Sequence, residues 1–241
     1  MKNREKNEGF FGLENQMDLF ENESAKFTKM DKNFQDEKRE KSGQNGGVLK
    51  LSDKEIIDLS SNLTSVGIDE VGYGCWAGPV FVCALQFLRP PEPIFRDSKS
   101  ISAKKRQELY EKIKEISRWK IGIGMIEEIN EFGLGYAYKS AILRAVEPFL
   151  GQGTFFMDGR KPSFLDCYAL VKGDQKIQAI SAASIVAKVE RDALMDQLNL
   201  EFPMYKWDSN KGYGTADHIK AIREHGLCRW HRKSYNLDKY L

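Results

Sequence analysis

Four carboxylates stand where acids are seldom placed. Asp69 and Glu70 end the apolar run 66–70, Asp158 closes the run TFFMD at 154–158, and Asp174 follows a short apolar run in VKGDQK. A charge set against a core is very costly unless something neutralises it. Hard divalent cations do so, because Mg²⁺ takes one or two carboxylates and completes its shell with water and substrate phosphate. Two such ions roughly 3.5–4 Å apart stabilise both the attacking and the leaving oxygen of a phosphodiester. Taken singly, each acid reads as a surface residue or as the partner of a Lys or Arg, the usual place for Asp and Glu. Taken together, with the glycine-rich turn Gly72-Tyr73-Gly74 directly after the first pair, they point to a cation site. Spacing alone does not bring them together.

The surrounding pattern says which elements must position them. A run at 66–70 leads into the turn at 72–74, and 79–87 (VFVCALQF) reads as a buried strand. Ser102 caps a helix to about 117, 120–125 (KIGIGM) reads as a strand, and a helix covers 135–150. Short strands follow at 154–158 and 169–172, then helices at 181–202 and 215–226. Strands first, then alternation with helices, predict an α/β domain with a mixed sheet. Residues 1–60 differ in texture: rich in Lys, Glu, Asn, Asp and Gln, they are expected to form a largely disordered extension. Within it, 52–63 carries the signature of a short helix, with Ser52 as cap and Glu55 three residues on. The compact domain is expected over 61–241.

Composition narrows the class. A chain of 241 residues, 41% of them hydrophobic, has room for one packed domain. The net charge of +2 argues nothing about nucleic acid by itself, but the C-terminal stretch gathers Lys206, Lys211, Lys220, Arg223, Arg229, Arg232 and Lys233 with all three histidines. Cys75, Cys83, Cys167 and Cys228 show no C-x-x-C spacing, so reduced thiols are expected. The charged start MKNREKNEGFFG lacks a secretory signal's apolar segment, and no run approaches the ~18 apolar residues of a membrane span. A cytoplasmic protein is expected.

Five ordered blocks between about 66 and 235 resemble prokaryotic ribonuclease HII: GIDEVGYGCWAGPV, DSKSISAKKR, FMDGR, VKGDQKIQAISAASIVAKVERD, and NKGYGTADH with HRKSY. One block alone is weak; five in order are specific. The resemblance implies a ribonuclease H-like fold, a central mixed β-sheet flanked by helices with a helical C-terminal part. It implies that Asp69, Glu70, Asp158 and Asp174 form a catalytic cluster for two divalent ions, Mg²⁺ or Mn²⁺. The implied reaction is endonucleolytic hydrolysis of the RNA strand of RNA-DNA hybrids, and incision at ribonucleotides embedded in DNA, leaving 3′-hydroxyl and 5′-phosphate ends.

Around that cluster, Lys99 and Lys172 are candidates for substrate phosphate, with Lys188 and Arg191 behind them or simply solvated. Small residues at 181–184 are read as close helix packing. Tyr213, between Gly212 and Gly214, is displayed for stacking on a sugar; in the family the matching tyrosine packs on the deoxyribose beside the ribonucleotide. The first turn departs from the family's usual Gly-Arg-Gly or Gly-Lys-Gly. Tyr73 leaves the backbone approach to a ribose 2′-hydroxyl intact but removes a cation. Hydrolysis is therefore expected with an altered preference for single ribonucleotides. Gln16-Met17-Asp18-Leu19-Phe20 resembles the peptide by which bacterial replication and repair proteins dock on the sliding clamp, with Gln16, Leu19 and Phe20 as contacts. Two alternatives stay open: a hybrid-binding module with reduced cleavage, suggested by Tyr73, and a junction resolvase on the same fold.

Overall fold

The computed structural model describes residues 51–91 and 101–240. The expected sites at Gln16, Leu19, Phe20 and Lys99 lie outside the described residues, as does most of the expected N-terminal extension. Among the described residues no helix is long and apolar enough to cross a membrane.

Five strands form one mixed sheet in the order β3-β2-β1-β4-β5: β1 Ser65–Val71, β2 Val80–Phe87, β3 Ser117–Gly124, β4 Thr154–Asp158 and β5 Tyr168–Leu170. β1, β2 and β3 pair antiparallel, whereas β4 joins β1 in parallel and β5 joins β4 in parallel. Every residue of β2 is buried. That is the mark of a strand covered on both faces, and it explains why β2 reads as a continuous apolar run instead of an alternation. The helices are α1 Asp53–Ser60, α2 Ala103–Ile116, α3 Ile126–Phe132, α4 Leu134–Val146, α5 Gln178–Glu201, α6 Trp207–Asn210 and α7 Ala216–His225.

Two cores follow from the period-2 geometry of the strands. On one face Val66, Ile68, Val82 and Ala84 meet Ala141, Ile142 and Ala145 of α4. On the other, Cys83, Leu85, Phe87 and Phe156 meet α5 and α2. Gly67 lies against the α5 backbone, where a Cβ would run into the Ala179 carbonyl. The helix therefore rides on bare main chain directly beside Asp69.

The helix caps and most strands stand where the pattern puts them: Ser52 and Glu55 form a capping box, and Ser102 caps α2. Four boundaries differ. β3 begins at Ser117, ahead of the alternating part of its sequence. The helix expected over 135–150 is α4 followed by a 3₁₀ turn at Glu147–Phe149 that holds Pro148, and an unexpected helix, α3, precedes it across Gly133, whose φ of 86° ends α3 and opens α4. α3 has no side-chain N-cap to announce it, but Glu128 reaches back to the Met125 amide at 2.9 Å. Glu128 also fastens the two helices through a buried pair with Arg144 at 2.6 Å. β5 stops at Leu170, because Lys172 turns left-handed with φ 57°. α5 begins at 178, where Ile177 precedes it without a side-chain cap.

Candidate active site

The parallel register pairs Ile68 with Met157, so Asp69 and Asp158 are the next neighbours across β1 and β4. Alternation turns both toward the α5 face, the face of Phe156. Asp158 accepts from the Gly173 amide at 2.6 Å. That bond draws in the 3₁₀ turn Gly173–Gln175, on which Asp174 lies buried. Asp69 accepts from the Glu70 amide at 2.8 Å and from the Ser184 hydroxyl. Burial, then the charge of Glu70 and to a lesser degree that of Asp158, push the Asp69 carboxyl well above the usual carboxylate range. Glu70, one residue on, faces the opposite side of the sheet, where the Tyr138 hydroxyl donates to its Oε2 at 3.2 Å. Burial foremost and the neighbouring Glu70 push the Tyr138 hydroxyl far above its ordinary value, so it stays a donor.

Among the described residues no three Asp, Glu, His or Cys side chains already stand close enough to share a cation. Hydrated Mg²⁺ needs only one or two carboxylates per ion. Asp69 and Asp158 side by side, one of them resisting ionisation, are a pair of hard oxygen donors whose repulsion a divalent cation relieves. The residues present fit such an ion.

Two buried guanidiniums build the rim. Arg232 donates to the carbonyls of Gly72 (2.6 Å), Tyr73 (2.8 Å) and Gly78 (2.8 and 3.0 Å). Arg191 donates to those of Ala77, Pro79 and Lys211. The expectation of Arg191 as a phosphate contact or a solvated residue is corrected here. It is fully buried, and its donors are spent on loop carbonyls. Lys188 pairs with Asp192 at 2.8 Å, one turn along α5. With the turn's carbonyls drawn inward, the amides of Gly72, Tyr73 and Gly74 donate to no acceptor among the described residues. A Cβ on Gly72 would strike Arg191, whereas one on Gly74 would meet open space. Packing and a φ of 85° thus demand glycine at 72, whereas at 74 a side chain would have room.

The turn and the loop of Tyr213 are one unit, since the amides of Trp76 and Ala77 donate to the Gly212 carbonyl at 2.8 and 3.2 Å. Tyr73 is 45% exposed and Tyr213 43%, both on that rim. The Tyr213 hydroxyl lies beside the Cys75 side chain. Its carbonyl accepts from His218 Nδ1 at 2.9 Å, which fixes that tautomer. His218 Nε2 then accepts from Trp207 Nε1 (3.2 Å) and from His231 Nε2 (3.1 Å), while His231 Nδ1 accepts from the Cys228 amide at 3.0 Å. This chain has room for two neutral imidazoles only. Lys172 is exposed beside the turn that carries Asp174.

Burial, reinforced by His218, pushes His231 down to about 4, and burial also lowers His218. An unfolded histidine titrates near 6.5, so between about 6.5 and 4 the unfolded chain binds more protons than the folded one. Stability is therefore complete above that window and is lost as the pH falls through it. Thermal melting should drop across this range in the parent chain, with a shallower slope in His231→Gln. Equal slopes would remove the histidine pair from the account.

Tyr138 sits in a helical pattern outside the family blocks, whereas Ser184 and Arg232 lie inside two of them, the first read as packing and the second only as part of a basic cluster.

A sequence model of the family described as Ribonuclease HII matches residues 66–151 and 158–237. A Pelagibacter ubique (strain HTCC1062) protein described as Ribonuclease HII is 41% identical over 175 residues, covering 70% of this chain and 94% of its own. One from Wolbachia pipientis subsp. Culex pipiens (strain wPip), with the same description, is 41% identical over 192 residues, covering 78% and 97%. Among solved structures, the PCNA:RNase HII complex from Archaeoglobus fulgidus is similar with a TM-score of 0.60, at 24% identity over 70% of this chain and 93% of that one. Bst-RNase HIII in complex with Mn²⁺ is similar with a TM-score of 0.61, at 16% identity over 86% of this chain and 79% of that one. At such identities the structural likeness carries the fold, a ribonuclease H-like sheet with flanking helices.

Proposed function

The chain belongs to the ribonuclease HII family, and from that premise we propose that it hydrolyses the RNA strand of RNA-DNA hybrids and incises DNA at embedded ribonucleotides. It is a metal-dependent endonuclease of the ribonuclease H type. The reading as a non-catalytic binder has no support among its relatives. The observation that carries the proposal is that Asp69 and Asp158 follow the Ile68–Met157 pair of two parallel strands, beside a turn whose amides donate to no acceptor among the described residues.

Asp69, Glu70, Asp158 and Asp174 would hold the ions, Mg²⁺ or Mn²⁺. When bound, two such ions activate a water and stabilise the charge that develops on the attacking and leaving oxygens, giving 3′-hydroxyl and 5′-phosphate ends. The protein's own residues do the reading. Amides of the Gly72–Gly74 turn meet the 2′-hydroxyl that marks RNA. The half-exposed ring of Tyr213 stacks on the neighbouring sugar, held in place through its carbonyl by His218. Lys172, exposed, faces a phosphate, and Lys99 is carried in the same role from the resemblance. The proposal includes a cytoplasmic location and docking of Gln16, Leu19 and Phe20 on the bacterial sliding clamp, which rests on the pentapeptide alone.

Labelled duplexes with one ribonucleotide, a long hybrid, all-DNA and a branched junction, each with Mg²⁺, Mn²⁺ or chelator, test the reading. Metal-dependent cuts in the first two only are expected; junction cutting, or none, overturns it. Tyr73→Arg restores one charged phosphate contact, worth about 1.5–3 kcal/mol. The ratio of single-ribonucleotide to long-hybrid cleavage should then rise about tenfold or more. An unchanged ratio would mean that Tyr73 plays no part in the preference.

A further inference from the structure

Small residues press α4 onto the sheet: a Cβ on Gly122 would run into the Ala141 carbonyl, and one on Gly124 into that of Ala137. With the helix that close, Tyr138 spans from α4 to the end of β1. The body of its side chain packs on the buried cluster that includes Val66, Ile68, Ile142 and Phe155. Its hydroxyl donates to Glu70 Oε2 at 3.2 Å. Its ring meets the half-exposed ring of Tyr73 edge to face, with centroids 5.1 Å apart and planes at 81°. One side chain thus touches an acid of the cluster at one end and the substrate-facing turn along its ring.

We infer that Tyr138 is a positioning residue for the cation site, orienting the Glu70 carboxylate through its hydroxyl while its ring supports Tyr73. The inference rests on the reading of Glu70 as a cation ligand. The Tyr138 hydroxyl fixes Oε2 of Glu70 from the α4 side of the sheet. Hydrogen bonds of this kind hold a ligating carboxylate in one orientation, and their loss typically weakens metal affinity by about 10–100-fold. Were the hydroxyl merely satisfied by a convenient acceptor, its removal would leave ion binding untouched.

Tyr138→Phe keeps the ring, and with it the packing and the Tyr73 contact, and deletes only the donor. Mn²⁺ titrated calorimetrically into the full chain, without nucleic acid, should bind about tenfold or more weakly in Y138F. Melting in chelator should match the parent. Y138A, which also removes the ring under Tyr73, should add a rise in KM for duplex at saturating metal, a change Y138F lacks. E70Q separates the two claims. If E70Q weakens Mn²⁺ binding and Y138F does not, the role of Tyr138 is overturned and the cation site stands. If E70Q binds Mn²⁺ as the parent does, Glu70 is no ligand and both claims fail.

Discussion

Asp69→Asn is expected to lose at least about a thousandfold in cleavage rate while keeping its fold. Asn has the shape of Asp, so its Oδ1 still accepts from the Glu70 amide, and the Ser184 hydroxyl can turn to accept from its NH2. The missing element is the negative charge that Asp69, 4% exposed, would offer to an ion. Ion-assisted charge stabilisation supplies several kcal/mol, and each 1.36 kcal/mol is a factor of ten in rate. Stability should move the other way. Because burial and Glu70 raise the folded Asp69 above its unfolded value, the folded state holds the proton more firmly. The group's contribution is therefore full at low pH and is lost as the pH rises. An amide suffers no such loss, so at pH 8 in chelator D69N should melt no lower than the parent. Cleavage within tenfold of the parent rate would exclude Asp69 from the chemistry.

Arg232→Met is expected to be the most damaging change away from the acids. Arg232 is fully buried, and its donors hold the Gly72, Tyr73 and Gly78 carbonyls. Burial lowers its ordinary value, yet the guanidinium is satisfied by carbonyl oxygens on several sides. Met fills the space and gives none of those hydrogen bonds, leaving desolvated acceptors behind. At roughly 1–3 kcal/mol for each stranded group, a loss of about 3 kcal/mol follows once the turn relaxes. For a domain of this size that is a fall of about 6–12 °C in Tm. Cleavage measured well below the melting range should fall about a hundredfold, because the amides proposed to meet the ribose lose their fixed orientation. Arg232→Lys should not rescue, since a point charge cannot reach three carbonyls at once. Melting within a degree or two of the parent would show that the turn is held by other means.

Some of this was legible in the sequence, and the reason is physical. Asp69 and Asp158 announce themselves by interrupting apolar runs, and β2 by being apolar but for Gln86. Alternation also puts the consecutive strand residues 69 and 70 on opposite faces, so that Asp69 meets Ser184 and Glu70 meets Tyr138, a division of partners that residue types do not display. Arg191 and Arg232 could not be told from solvated arginines, because their partners are backbone carbonyls, which no residue type encodes. Tyr138 lies in a stretch, LGYAYKSAILRAV, whose pattern declares a packed helix; nothing in it declares a hydroxyl aimed at Glu70. The break at Gly133 was visible as a glycine but not as a hinge, since the left-handed φ there is set by two helices meeting. Ser184, read as packing, is a hydrogen-bond donor to Asp69 only because Gly67 lets α5 lie on bare strand.

The claim on which the rest stands is that these acids share divalent ions with a phosphodiester. Crystals of the chain grown with Mn²⁺ and a duplex carrying one ribonucleotide, measured at the manganese absorption edge, test it directly. The account predicts anomalous density between the Asp69 and Asp158 carboxylates, about 2.0–2.2 Å from their oxygens and touching a phosphate beside the ribose held by the Gly72–Gly74 turn. Manganese bound elsewhere, with Asp69 and Asp158 contacting neither metal nor nucleic acid, would contradict it.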